Sequence, residues 1–189
     1  MLLIGAYLLG SVPTGLLLAR SMGINIRECG SGNIGATNVY RTAGKKLGIM
    51  TLLGDCLKGL IPVLAAKALG LPPVWVAGIG LAAFLGHVYT VFLGFKGGKG
   101  VATALGVLLG TAPLAVLIGI LVFAAVLYKW RYVSLASISA AAVIPVLAWG
   151  TCSTREVVGM AFVIAVIVIL KHHENIARLR SGAENKFKA

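Results

Sequence analysis

The sequence predicts an all-α, polytopic membrane protein of about seven transmembrane helices, with the N-terminus outside and the C-terminus cytoplasmic. Three observations carry this reading. Of 189 residues, 59% are hydrophobic and 12% charged, with a mean hydropathy of +0.97, more apolar surface than a soluble fold of this size can hide. Apolar runs close to the roughly 20 residues needed to cross a hydrocarbon core of about 30 Å recur along the chain. Lys and Arg gather in every second connection, as they do in cytoplasmic loops.

The first run, residues 2–19, has no basic residue before it and Arg20 after it. That is the reverse of a signal peptide, and no small-residue cleavage site follows, so it reads as a retained span entered from outside. Residues 21–46 are rich in Gly and Asn and contain SGNIGATN; too polar to face lipid, they are expected to fold back as a re-entrant or interfacial segment. A second span, 47–69, ends at Pro72 and Pro73 in a short outer turn, and a third covers 74–93. Beyond the polar knot GFKGGKG come residues 101–110 and 114–128, two spans separated by Thr111-Ala112-Pro113, the first of them short for a bilayer. Lys129, Trp130, Arg131 and Tyr132 form a basic and aromatic inner belt. The last spans, 133–149 and 157–170, flank an outer turn at 151–156.

Seven spans agree with the charge bias better than five or six. Arg155 is the one clear outer cation, Lys67 is expected to snorkel to outer headgroups, and Lys58 lies within a span. The net charge of +12 is therefore one-sided; it signals topology and attraction to anionic lipid, and nucleic acid is not expected as a partner. Cys29, Cys56 and Cys152 have no metal-type spacing and read as small apolar fillers. No internal repeat is visible, which disfavours a transporter built from paired broken helices. Residues 1–189 read as one domain.

Three polar motifs, 31–41, 96–103 and 171–184, fall on the same expected face. A transport path wants polar groups through the membrane thickness, whereas a one-faced cluster suits chemistry between a soluble and a greasy substrate. Gly97, Gly98 and Gly100, with Lys99 among them, open a helix, so backbone N–H groups and the helix dipole would meet an anion there, with Thr103 and Lys99 adding a hydroxyl and a charge. It is not a Walker loop, because Gly100 follows Lys99 and Leu93 holds the position of the earlier glycine. Ser31, Asn33, Thr37 and Asn38 are interleaved with glycines ahead of Arg41, a pattern able to nest an anion or bind a polyol, with a guanidinium matched to phosphate. In the third motif a helix would align His172, Asn175 and Leu179, and His172 could donate to phosphate or take a hydroxyl proton. His172-His173-Glu174 is not a zinc-protease order, and no metal is inferred. Asp55 and Lys58 read as an intramembrane ion pair, His87 as a satisfied interhelical donor, and Ser137 as near enough to the inner face to donate.

GSGNIGATNVYR, GFKGGKGVATALG and HHENIARLRSGAE, together with SVPTG, DCLKG and YVSLAS, resemble the acyl-phosphate-dependent glycerol-3-phosphate acyltransferases, the PlsY family, over nearly the whole chain. The resemblance implies transfer of a fatty acyl group from acyl phosphate to the 1-hydroxyl of glycerol 3-phosphate, giving lysophosphatidic acid and inorganic phosphate as the first step of bacterial phospholipid synthesis. It further implies a multi-pass protein of the bacterial cytoplasmic (inner) membrane, active site facing the cytoplasm. No His is followed five positions later by Asp, as in other acyltransferases; Phe92, Ala177 and Arg178 stand there.

On this reading Gly97, Gly98, Gly100 and Thr103 take the acyl phosphate. Ser31, Thr37, Asn38, Arg41, Lys99, Ser137, His172 and Asn175 take glycerol 3-phosphate, with Arg41, Lys99, Ser137, His172 and Asn175 closest to the chemistry. An acyl phosphate is already activated, so direct attack needs alignment and charge neutralisation, with no acyl-enzyme and no cofactor. The proton passes to His172 or to the donor's phosphate. Glycerol 3-phosphate, acyl phosphate and membrane lipid are the expected partners, and the protein is expected to be a monomer. An anion or lipid-phosphate transporter is the competing reading.

Overall fold

The computed structural model describes residues 1–151 and 153–187; Cys152 and Lys188 lie outside the described residues. Among these the regular structure is wholly helical, in two compact units, Met1–Gly110 and Thr111–Ala189. Five helices are long and apolar enough to cross a membrane, or up to six when the last, bent pair is taken as one span. The seven-span expectation exceeds this because residues 101–111 form a helix of only 11 residues, about 16 Å long at 1.5 Å per residue and roughly half a hydrocarbon core.

The first unit holds α1 (Leu2–Ser11), α2 (Thr14–Arg20), α3 (Ala36–Ala43), α4 (Lys45–Ala68), α5 (Pro73–Val88), a 3-10 turn (Val91–Leu93) and α6 (Val101–Thr111), which ends at the unit boundary. Its helices approach through small residues: a side chain on Gly10 or Gly86 would strike the facing α5 or α1 backbone, and one on Gly59 or Gly106 the facing α6 or α4 backbone. Close backbone approach replaces the hydrophobic drive that lipid cannot supply.

Proline explains why the first apolar run is two helices. Pro13 has no N–H and clashes with a continuing helix, so α1 stops at Ser11 and α2 starts at Thr14. The carbonyls freed at the break cannot find water in a membrane. Instead Thr90 Oγ1 donates to Ser11 O at 2.6 Å and Lys58 Nζ to Val12 O at 2.8 Å. At the far end of α6, Lys67 Nζ donates to Gly110 O at 3.0 Å, so the lysine expected to snorkel also caps a helix terminus.

The second unit holds α7 (Pro113–Trp130), α8 (Val133–Gly150), α9 (Arg155–Lys171) and α10 (His173–Arg180). Pro113 starts α7 where its missing N–H costs nothing, and the Thr154 hydroxyl caps α9. α8 packs against both α7 and α9. At His172 the chain turns by 54° from the apolar α9 into the polar α10. The segment beyond α10 returns to the α7–α8 turn: Phe187 N donates to Arg131 O at 2.6 Å, and Arg131 Nε donates to Phe187 O at 3.2 Å.

Candidate functional site

In the first unit the polar loop before α3 is organised by one buried amide. Asn38 Nδ2 donates to the carbonyls of Ile26, Cys29 and Asn33 at 3.2, 3.1 and 2.9 Å, and its Oδ1 accepts from Ser31 N at 3.0 Å. Gly30 lies against Asn38 Oδ1 with φ of +61°, so it meets both demands that only glycine meets. Asn38 was expected to bind substrate, but its amide group is committed to the loop backbone. Around it Ser31 and Arg41 are exposed and Thr37 is half-buried. An apolar floor of Leu16, Ala19, Ile26, Ile34 and Val39, with Leu93 packed against it, supports the loop.

The glycine loop of the same unit approaches this segment. Arg27 Nη2 donates to Lys96 O, and Leu93 joins the floor beneath the first motif. Gly97 N donates to Val88 O at 3.2 Å and Gly98 N to His87 O at 3.1 Å, so these two amides cap α5. This corrects the expectation that they offer donors to an anion. They are glycines because a methyl on Gly97 would overlap the His87 and Val88 carbonyls, and one on Gly98 the His87 ring. Gly100, with φ of +82° and its Cα against Phe84, turns the chain into α6, whose first hydrogen bond runs from Ala104 N to Gly100 O at 2.7 Å. The amides of residues 100–103 therefore have no carbonyl four residues back to donate to. Lys99 is half-buried beside them. Thr103 is fully buried, its hydroxyl without a hydrogen-bond partner among the described residues.

In the second unit His172 and Asn175 are buried while His173 is exposed, as the helical spacing predicts. His172 Nδ1 lies 2.7 Å from Val168 O. A carbonyl can only accept, so Nδ1 carries the proton and Nε2 is the nitrogen that would exchange one. Ser137, 5% exposed, donates to Val133 O at 2.9 Å, leaving its oxygen able to accept.

Glu184 is the organiser that motif reading passed over. Its side chain is 7% exposed. Oε1 accepts from Ser134 Oγ and Asn175 Nδ2, both at 2.7 Å, and Oε2 from Arg178 Nε at 2.8 Å. Burial alone would push this carboxyl up, but the three hydrogen bonds and the Arg178 charge outweigh it and hold the group below its ordinary range. Arg178, expected to point elsewhere, thus shares a partner with Asn175. One signal was available: the sequence has five Asp and Glu, so each carboxylate in so basic a chain merits scrutiny.

Asp55 and Lys58 pair at 2.9 Å, as their spacing predicts. His87, expected to be a satisfied donor, instead has Nδ1 3.7 Å from Asp55 Oδ1 and no hydrogen bond at that atom among the described residues.

Comparison with known proteins accounts for this combination of motifs. The family described as "Glycerol-3-phosphate acyltransferase" matches residues 1–182. The glycerol-3-phosphate acyltransferase of Geobacter metallireducens is 67% identical over all of this chain and 97% of its own length. That of Aquifex aeolicus is 46% identical over 98% of this chain and 97% of its own length. Two crystal structures of PlsY (YgiH), an integral membrane glycerol 3-phosphate acyltransferase, superpose closely. The glycerol 3-phosphate form has a TM-score of 0.94 at 46% identity, and the lysophosphatidic acid form 0.92 at 45%, each covering 99% of this chain and 94% of the other. By sequence over nearly its whole length and by fold, the chain belongs to the glycerol-3-phosphate acyltransferase family.

Proposed function

We propose that the chain transfers a fatty acyl group from acyl phosphate to the 1-hydroxyl of glycerol 3-phosphate, releasing lysophosphatidic acid and inorganic phosphate. The observation that carries the reading is the meeting, within the first unit, of two polar loops suited to anions, tied together by Arg27 and Lys96. The known PlsY forms with glycerol 3-phosphate and with lysophosphatidic acid support the acceptor and the product.

The acyl phosphate sits at the front of α6, on the amides of residues 100–103 with Lys99 beside them. Gly97 and Gly98 shape that turn, and the Thr103 hydroxyl is a further donor at its base. Ser31, Thr37, Arg41 and Lys99 of the first unit hold glycerol 3-phosphate, and Ser137, His172 and Asn175 are candidate ligands by their motifs. Asn38 fixes the geometry of the first group, and residues 1–189 act as one catalytic domain. A dipole-backed set of donors and two cations neutralise charge as the phosphate leaves. The acceptor hydroxyl attacks the acyl carbon directly, the C–O bond to phosphate breaks, and the hydroxyl proton goes to His172 Nε2 or to a phosphate oxygen, with no acyl-enzyme.

The protein lies in the bacterial inner membrane as a monomer, N-terminus outside and site facing the cytoplasm. α6 serves as a seventh, short crossing where the bilayer thins. Purified protein in lipid bicelles, given acyl phosphate and labelled glycerol 3-phosphate, should form lysophosphatidic acid and phosphate in equal amounts. Substrate flux into liposomes without product would replace this reading with a transporter.

A further inference from the structure

Between α4, α5 and the break in α1 lies a buried polar cluster that the proposed reaction does not use. Asp55, Lys58 and His87 are 1%, 5% and 3% exposed. Charges so deep in a membrane helix bundle are costly and persist where they have work to do. The contacts run in one direction. Lys58 is anchored on Val12 O where Pro13 breaks the first span, and it pairs with Asp55 at 2.9 Å. The Asp55 carboxylate faces His87 Nδ1 at 3.7 Å. On the other side of that ring, Nε2 lies where a Gly98 side chain would start, while the His87 carbonyl accepts the Gly98 N–H at 3.1 Å. His87 thus touches the glycine loop through both its backbone and its ring, while the ring's other nitrogen faces the Asp55 carboxylate of α4.

We infer that Asp55 and Lys58, acting through His87, are positioning residues that fix the glycine loop in the geometry from which α6 receives the acyl phosphate. The inference rests on the proposed function. A ring that tilts must displace Gly98, because no side chain intervenes to absorb the shift, and misplacing a binding loop by about an ångström costs up to roughly a hundredfold in rate.

Two variants test it. Asp55→Asn/Lys58→Met removes both charges together, since deleting one would strand its partner, whereas replacing a buried pair is often tolerated. His87→Leu removes the ring nitrogens at similar volume. Melting temperature, kcat and the KM of each substrate are measured in bicelles. Positioning predicts a KM for acyl phosphate raised roughly tenfold or more, a smaller rise in the KM for glycerol 3-phosphate through the neighbouring Lys99, and a combined variant no worse than the more affected parent, as coupled residues behave. Unchanged kinetics in the folded variants would overturn it. So would equal loss toward both substrates with a lowered melting temperature, or failure of both variants to fold, since either assigns the cluster to folding alone. If the wild-type protein itself makes no lysophosphatidic acid, the functional reading fails first. Acyl-phosphate binding to wild type and variants by calorimetry then decides the positioning role: weaker binding by the folded variants upholds it, and equal binding overturns it.

Discussion

The two organising side chains, Asn38 in the first unit and Glu184 in the second, solve the same problem with different chemistry. Each is buried at the base of a polar motif and gathers several partners. Asn38 is a neutral amide bonded wholly to backbone, so it sets the path of a loop, and it does so at any pH. Glu184 is a carboxylate bonded to three side chains, so it sets the aim of Ser134, Asn175 and Arg178 and does so only while ionised. A loop whose amides and hydroxyls are to meet a ligand needs a fixed backbone. Residues brought from α8 and α10 need a shared counter-charge instead.

The largest effects should fall on groups that reach substrate and not on the organisers. Arg41→Ala and Lys99→Ala should each lower kcat/KM by roughly a hundredfold to a thousandfold with the fold retained, the scale seen when one charge-stabilising donor is lost. Wild-type turnover in either would remove it from the site. Next comes Asn38→Ala, which strands the buried Ile26 carbonyl at about 1–3 kcal/mol and releases the part-buried Cys29 and Asn33 carbonyls and the Ser31 amide. It should lower activity by about tenfold or more and the melting temperature with it, equally at every pH, and a pH-dependent loss would break the contrast with Glu184.

Glu184→Gln sharpens the comparison from the other side. The wild-type carboxyl is held below its ordinary range. Its stabilisation is therefore present in full above the usual carboxylate pKa of about 4.3 and is lost as pH falls through the lowered value, where the folded state takes up its proton. Urea unfolding should show wild type more stable than the variant at neutral pH, the two converging in acid; a constant difference would mean that charge is not what Glu184 supplies. The smallest effect should be His173→Ala. That residue is exposed and bonds only locally, its Nδ1 lying 3.0 Å from Leu170 O, so rate should stay within about twofold. A large loss would redraw the third motif.

Much of this was legible in the sequence, because apolar length, prolines and helical spacing are local properties. The turn at Pro72 and Pro73, the pairing of Asp55 with Lys58 and the common burial of His172 and Asn175 all follow from spacing along the chain, whereas the break at Pro13 lay unread inside the first apolar run. What escaped depends on where hydrogen bonds go. That Gly97 and Gly98 spend their amides on α5, or that Asn38 faces inward, is decided by tertiary neighbours that no local pattern names. At α6 two sequence properties part company: its composition prefers lipid, while its 11 residues fall short of a bilayer of ordinary thickness.

The proposed function requires each of the three polar motifs to face the cytoplasm. Single cysteines at Ser31, Lys99 and the exposed His173, in a variant lacking Cys29, Cys56 and Cys152, can be labelled with an impermeant maleimide in oriented membrane vesicles. All three should react only when the cytoplasmic face is presented to the reagent. Labelling of any one of them from the opposite face would contradict the proposed function.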